Sequence, residues 1–314
     1  GNLTINSTSN FSFNTAWFGI FQVRNNIFFG RVNGSGGVDI DPCINCHSNA
    51  LNFTGKVFPA TNSFSVNGNV INVNQALTSS GTSGISLRGS LVVVNNANLT
   101  AASASQPIVI NSAGNIVLVA NTPTTLRTNN GPITLWSDSD GNGDGSVLVR
   151  ENVTFNSANG LINQVSGGGA IVLAGGSASS GGFPTGYASV PSTRTGNWGN
   201  TQMAGVMLGA FTASNNGNNQ SNSINFYSGG GNVIIRGKAA NGMPGIAWMG
   251  SNTASQLIQA GNGTITIDGL AEGTGHGIET NYGGGSRVAR LETSNSTSAA
   301  ISITGLSLIH ISEP

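Results

Sequence analysis

One spacing constrains this chain more than any other feature. Gly231-Asn-Val233-Ile-Ile235-Arg-Gly237-Lys-Ala239, continuing through Gly245-Ile246, recurs as Gly263-Thr-Ile265-Thr-Ile267-Asp-Gly269-Leu-Ala271, continuing through Gly277-Ile278. The offset is 32 at every matched pair. A third partial copy, Ile301-Ser-Ile303-Thr-Gly305, follows Ile265 at an offset of 36. A strand-turn-strand unit with an unequal period cannot bury its apolar side alone, and stacking on its own copies solves that problem. The spacing predicts an all-β solenoid, a parallel β-helix with loops of variable length.

The rest of the chain agrees with that expectation. Short runs of β-branched and aromatic residues recur between Gly, Asn and Ser. They include Phe64-Ser-Val66, Val70-Ile-Asn-Val73, Leu91-Val-Val-Val94, Ile108-Val-Ile110, Asn115-Ile-Val-Leu-Val119, Ile133-Thr-Leu-Trp136 and Ala170-Ile-Val-Leu173. No stretch of a dozen residues carries the i, i+3, i+4, i+7 apolar pattern of a helix. No apolar run approaches the roughly 18 residues of a membrane helix. Composition supplies the reason. Gly 47, Asn 42, Ser 38 and Thr 27 make up nearly half of 314 residues, and only 7% are charged. Gly and Asn reach positive φ cheaply in turns, and Asn side chains can bond from one rung to the next. Eleven basic and eleven acidic residues cancel to zero, which excludes a nucleic-acid partner bound through bulk charge. At about 20–25 residues per turn the chain would make about 13 rungs, on the order of 60 Å of rod.

The ends read as cuts through a longer repeating rod. The chain opens on Gly1 and goes directly into Asn2-Leu-Thr-Ile5, with no initiator Met and no signal segment. Residues 306–314, LSLIHISEP, are similar to the translation of a transposase-type sequencing adapter; the alternative is an amphipathic strand. The adapter reading makes the chain a fragment from shotgun or metagenomic DNA, open at both ends, in which His310 and Glu313 carry no biology. Three regions follow: an aromatic-rich start or cap over residues 1–60, β-helix repeats over 61–305, and a non-native tail over 306–314. Phe11, Phe13, Trp17, Phe18, Phe21, Phe28 and Phe29 crowd the first region.

The wording of the repeats carries a resemblance. Ile133-Thr-Leu-Trp-Ser-Asp-Ser-Asp140, Ala170-Ile-Val-Leu-Ala-Gly-Gly176, Phe183-Pro-Thr-Gly-Tyr-Ala188 and Gly261-Asn-Gly-Thr-Ile-Thr-Ile-Asp-Gly269 resemble repeats of filamentous-haemagglutinin-like bacterial surface adhesins. That resemblance implies a right-handed parallel β-helix, exported by a Gram-negative bacterium through an outer-membrane secretion partner. It would serve adhesion, aggregation or biofilm at the cell surface.

Several constellations could carry chemistry. Cys43-Ile-Asn-Cys46-His47 matches the c-type haem attachment pattern, while in an exported protein the simpler fate of Cys43 and Cys46 is a local disulfide. Asp138-Ser-Asp140-Gly-Asn142-Gly-Asp144 places oxygens at alternate positions with Gly at the sixth, as in the first half of an EF-hand calcium loop. The twelfth position is Val149 rather than Glu, with Glu151 two residues late, and the alternative is a solvated Asx turn. Gly275-His276-Gly277 is similar to the Gly-His-Gly of polygalacturonases, but Asp268, Glu272 and Glu279 lack the spacing of a glycosidase carboxylate pair. With Lys56 and Lys238 the only lysines, and Arg287 and Arg290 on one strand, a lyase base is thinly supplied. Trp136, Tyr187, Trp198 and Trp248 could stack on sugars or, more simply, pack loops onto the solenoid wall. The Gly/Ser/Pro-rich stretch from Gly175 to Thr201 is long enough to project and bind a ligand.

The reading that fits most of this is a secreted, cell-surface adhesin rod with no enzyme activity and no obligatory cofactor, calcium being the one candidate. Its partners would be host or environmental surface ligands, carbohydrate among them. The alternatives are a carbohydrate-active β-helix enzyme, lyase or hydrolase, and an extracellular haem protein using Cys43, Cys46 and His47.

Overall fold

Three short strands in a row, each turning a corner into the next, make one coil of this protein, and the coils lie directly on one another. The computed structural model describes residues 3–5, 11–14, 27–29, 50–54, 64–67, 70–74, 76–79, 83–120, 122–150, 152–191, 204–209, 223–240, 242–248, 255–280 and 288–308. Among them are 28 strands and no helix. Apart from a small pair, Leu3–Ile5 with Ile27–Phe29, they form a nine-strand, a seven-strand and a ten-strand sheet. The chain visits the three in that cyclic order. Val70–Val73, Leu77–Ser79 and Ile85–Gly89 make one coil, and Leu91–Asn95, Leu99–Ala104 and Ile108–Ser112 the next. Pairing along each face is parallel from coil to coil. The protein is a parallel β-helix, as the repeat spacing predicts.

The period-2 alternation of strands decides which side chains face the axis. On the ten-strand face Ile85, Ile108, Ile133, Ile171, Val233 and Ile265 stack in one column, all with no exposed surface. On the nine-strand face Val73, Val94, Leu118, Val149, Leu208 and Trp248 form the equivalent column. The seven-strand face contributes Leu77, Leu99, Leu126, Phe155, Phe226 and Ile258. Each such burial contributes about 1.5–3 kcal/mol, so the apolar columns, which need no charge, hold the rod together.

The repeat offset of 32 is the stacking register itself: Val233 pairs with Ile265 and Ile246 with Ile278. The offset of 36 is the next step, Ile265 on Ile301. That last pairing continues past Gly305, with Leu306 opposite Leu270 and Leu308 opposite Glu272. The start of the adapter-like string, Leu306-Ser-Leu308, is therefore in strand.

Coil length departs from the expectation of about 20–25 residues per turn. Val70 pairs with Leu91, a step of 21, but Phe155 pairs with Phe226, a step of 71. Among the described residues the seven-strand face stacks seven strands and the nine-strand face nine, against the roughly 13 rungs expected for the whole chain. Long insertions leave the coil and return without shifting the register, because the corner closes on backbone pairing and not on loop length.

Among the described residues, side-chain carbonyls tie corners beside the amide-on-amide stacking expected. Asn98 Oδ1 accepts Thr125 N–H of the next coil at 2.7 Å. Asn115 Oδ1 accepts Ser146 N–H at 2.9 Å, and Asn232 Oδ1 accepts Thr264 N–H at 2.9 Å. An amide–amide contact does occur, from Asn95 Nδ2 to Asn74 Oδ1 at 3.3 Å. At one corner Gly84 sits at φ +67°, where a Cβ would overlap the carbonyl oxygen of Pro107. No larger residue fits there.

Candidate functional site

The ten-strand face carries an interruption that adds outer surface to the rod. Strand Ile171–Ser180 pairs with the next coil only as far as Leu173, which lies opposite Ile235. The chain then leaves the wall, folds back through Phe183–Gly186 as an antiparallel hairpin, and rejoins the wall as Ala188–Val190. Ala188, Ser189 and Val190 pair with Gly237, Lys238 and Ala239. A single strand position is thus split by an inserted hairpin. Gly181 and Gly182, at φ 60° and 83°, make its tip, and Ser177–Ser180 flank that tip in solvent.

The base of the hairpin is docked on the wall by polar contacts. Trp136 Nε1 donates to Gly176 O at 2.7 Å. Tyr187 Oη donates to Asp268 Oδ2 at 2.8 Å, and Arg236 Nη1 donates to Thr185 O at 3.1 Å. Strand alternation turns Arg236 and Lys238 outward on one coil and Asp268 and Glu272 outward on the next. Arg236 faces Asp268 in register, Nε to Oδ2 3.9 Å, and Lys238 Nζ reaches Glu272 Oε1 at 2.6 Å. Burial pushes the Tyr187 phenol above its ordinary value, and the hydrogen bond to Asp268 adds to the effect. Tyr187 is therefore a held donor rather than a base. Asp268 and Glu272 stand four positions apart on one strand, about 13 Å along it. A glycosidase pair needs roughly 5–9.5 Å.

The Asp-rich turn lies between this face and the nine-strand face. Asp138 is buried at 3% exposure, in the left-handed region at φ 49°. Its Oδ1 accepts Gly143 N–H at 2.9 Å. Asp140 Oδ1 accepts Asn142 N–H at 3.3 Å and its Oδ2 accepts Asn142 Nδ2 at 2.9 Å, while Asn142 Oδ1 accepts Asp144 N–H at 2.7 Å. The Asp140 and Asn142 oxygens close successive Asx turns, the alternative the sequence left beside calcium. Among the described residues no three His, Cys, Asp or Glu side chains gather as a metal site. Burial raises the Asp138 carboxyl above its ordinary value, with Asp140 adding to it and the bonds from Gly143 and Ser189 opposing.

The other candidates separate. Cys43, Cys46, His47, Trp198, Lys56, Arg287 and Glu151 lie outside the described residues, as does the Gly175–Thr201 stretch beyond residue 191. Trp248 is a core residue on the axis. Val149 is likewise in the core. His276 is exposed on a corner. Arg290 pairs with Glu292 of its own strand. The Arg236–Asp268 facing was missed as a unit, although its signal was present, since the repeat offset itself separates the two. Nothing in the sequence marks the hairpin as an insertion within a strand. Comparison with family models, with curated proteins and with solved structures gives no match.

Proposed function

We propose that this chain is a segment of a secreted filamentous adhesin, a rod that presents surface features to a partner at the bacterial cell surface. The observation that carries the reading is the hairpin inserted into the ten-strand face. The wall beneath it stays in register, with Val233 still stacked on Ile171, while the insertion projects polar backbone and Ser side chains outward. A scaffold that accepts an insertion inside a strand without losing its columns is suited to display. Weak contacts repeated along such a rod add up through effective concentration.

The test is adhesion. Fluorescent beads coated with the protein are presented to immobilised glycans and to bacterial and epithelial cells, beside beads carrying a variant in which residues 176–186 are replaced by an Asn-Gly turn. Retention of wild-type beads above uncoated beads, reduced in the variant, supports the reading. Wild-type beads retained no better than uncoated ones overturn it.

A further inference from the structure

Residues 157–170 form a second excursion, and it runs along the rod instead of away from it. Asn156 Oδ1 starts it by accepting Ala158 N–H at 3.0 Å and Gly160 N–H at 2.9 Å. The segment then crosses the next two coils as a strap. Gly168 N–H donates to Gly229 O at 2.8 Å, and Val165 O accepts Asn262 N–H at 2.7 Å. Asn163 and Gln259, far apart in the chain, exchange two bonds: Asn163 N–H to Gln259 Oε1 at 2.8 Å and Gln259 Nε2 to Asn163 Oδ1 at 2.9 Å. Gly230 and Gly261 let the strap lie flat, since a Cβ at either would come within 2.5 Å of its backbone.

Between the strap and the following coil is a cleft of about 490 Å³, lined outwardly by Asn163, Val165, Gln259 and Glu292, beside Leu291 and Ile301, which continue the inward columns on the last described coil. That is within the range of ordinary small-molecule sites, about 300–1,000 Å³. Its chemistry is mixed in a specific way. Gln259 Nε2 also donates to Glu292 Oε2 at 3.0 Å, so two carboxamides and a carboxylate form one connected, oriented edge. Opposite in character, Val165 is 50% exposed, and Leu161 and Ile162 on the same strap are exposed too, while most large aliphatic side chains among the described residues lie on the axis. Gln259 spends both amide hydrogens orienting Asn163 and Glu292, so the Glu292 carboxylate oxygens and the Asn163 amide are the groups turned to meet adjacent hydroxyls. An aliphatic wall covers the C–H face of a sugar ring. Glu292 has its charge offset by Arg290, and the lining offers no further cation for an acidic ligand.

We infer that the cleft beneath the strap is a binding site for a neutral oligosaccharide of two or three rings. This inference rests on the adhesin reading and names one ligand class and one site for it.

The test is isothermal calorimetry of the whole chain with cellotriose, maltotriose, mannotriose, galactotriose and tri-N-acetylchitotriose, and with trigalacturonate as the acidic comparison. At least one neutral trisaccharide should bind, and Gln259→Ala and Glu292→Gln should each weaken it tenfold or more. Val165→Glu, a change at an exposed position, should block the cleft with the far-ultraviolet spectrum unchanged, while Leu161→Ser on the strap's outer side should leave binding intact. No binding by any neutral trisaccharide, preferred binding of trigalacturonate, or equal binding by wild type and Val165→Glu would each overturn the inference. Beads carrying Val165→Glu that still adhere as wild type remove the cleft and leave the adhesin reading standing. Saccharide binding without bead adhesion does the reverse.

Discussion

The rings of Phe155 and Phe226 stack with centroids 4.7 Å apart and planes within 14°, although the whole of residues 156–225 lies between them in the chain. They are partners in register on consecutive coils, both buried on the axis. Phe226→Ala should cost about 3–5 kcal/mol, the range for a large aromatic removed from a packed core. Guanidinium unfolding followed by tryptophan fluorescence measures it. A loss below about 1 kcal/mol, the ordinary cost of an unremarkable substitution, would mean the two coils are not stacked as described.

Corner geometry makes a second expectation. At Gly84, with φ at +67°, a Cβ would overlap Pro107 O; at Gly143, with φ at +85°, it would meet nothing within 4 Å. Gly143→Ala should therefore cost only the backbone strain, on the order of 1 kcal/mol. Gly84→Ala adds a clash that the next coil must move to relieve, so its melting temperature should fall further. Equal losses in the two variants would contradict the coil spacing at that corner.

The buried Asp138 carboxyl sets a pH dependence. Its folded value is raised, chiefly by burial, so the folded state holds the proton more tightly than the unfolded one. Stability from this group is full below the unfolded value near 3.8 and falls as pH rises from there through the folded value. Asp138→Asn keeps an acceptor for Gly143 N–H and removes the buried charge. The variant should be more stable than wild type at pH 7 and indistinguishable from it at pH 3, by thermal melts at both. A variant less stable at pH 7 would show that the charge itself is needed in the turn.

Tyr187 offers a spectroscopic readout of the docked hairpin. Its phenol is raised by burial and by donation to Asp268, so it ionises at higher pH than a free tyrosine. What it contributes to stability is whole below about pH 10 and is lost as pH climbs through the folded value. Asp268→Asn removes a negative neighbour, and one phenol should then titrate earlier in ultraviolet absorbance. Tyr227 shares a raised value from burial and from Glu292 and serves as the internal reference. Identical titration curves in wild type and variant would place Tyr187 away from Asp268.

How much of this was legible depends on where each contact lives. The offset of 32 encoded the pairing of Val233 with Ile265 directly, because a solenoid turns sequence period into contact register. The seven-strand face was hard to read. Its strands Leu99–Ala104, Thr124–Asn129 and Ser255–Gln259 are broken by Thr, Arg and Gln, so their apolar alternation is short. Trp136 and Tyr187 hold the hairpin base to the wall, the simpler of the two roles the sequence offers, because an aromatic beside glycines has few other places to go. The hairpin falls inside the Gly175–Thr201 stretch marked as able to project, but its pairing within a strand was not legible, and neither was the strap. The bond from Asn163 to Gln259 belongs to no motif and no period. Only the folded corner brings them together.

The strap changes how the rod bears load. In a stack where each coil holds only its two neighbours, a pull along the axis is resisted by one interface at a time, and the weakest sets the limit. Here the segment leaving Asn156 is bonded at Gly229, at Gln259 and at Asn262, so tension entering one coil is shared with coils further along. That stretch of the rod behaves as a stitched seam, opening several bonds together where an unstitched one would peel.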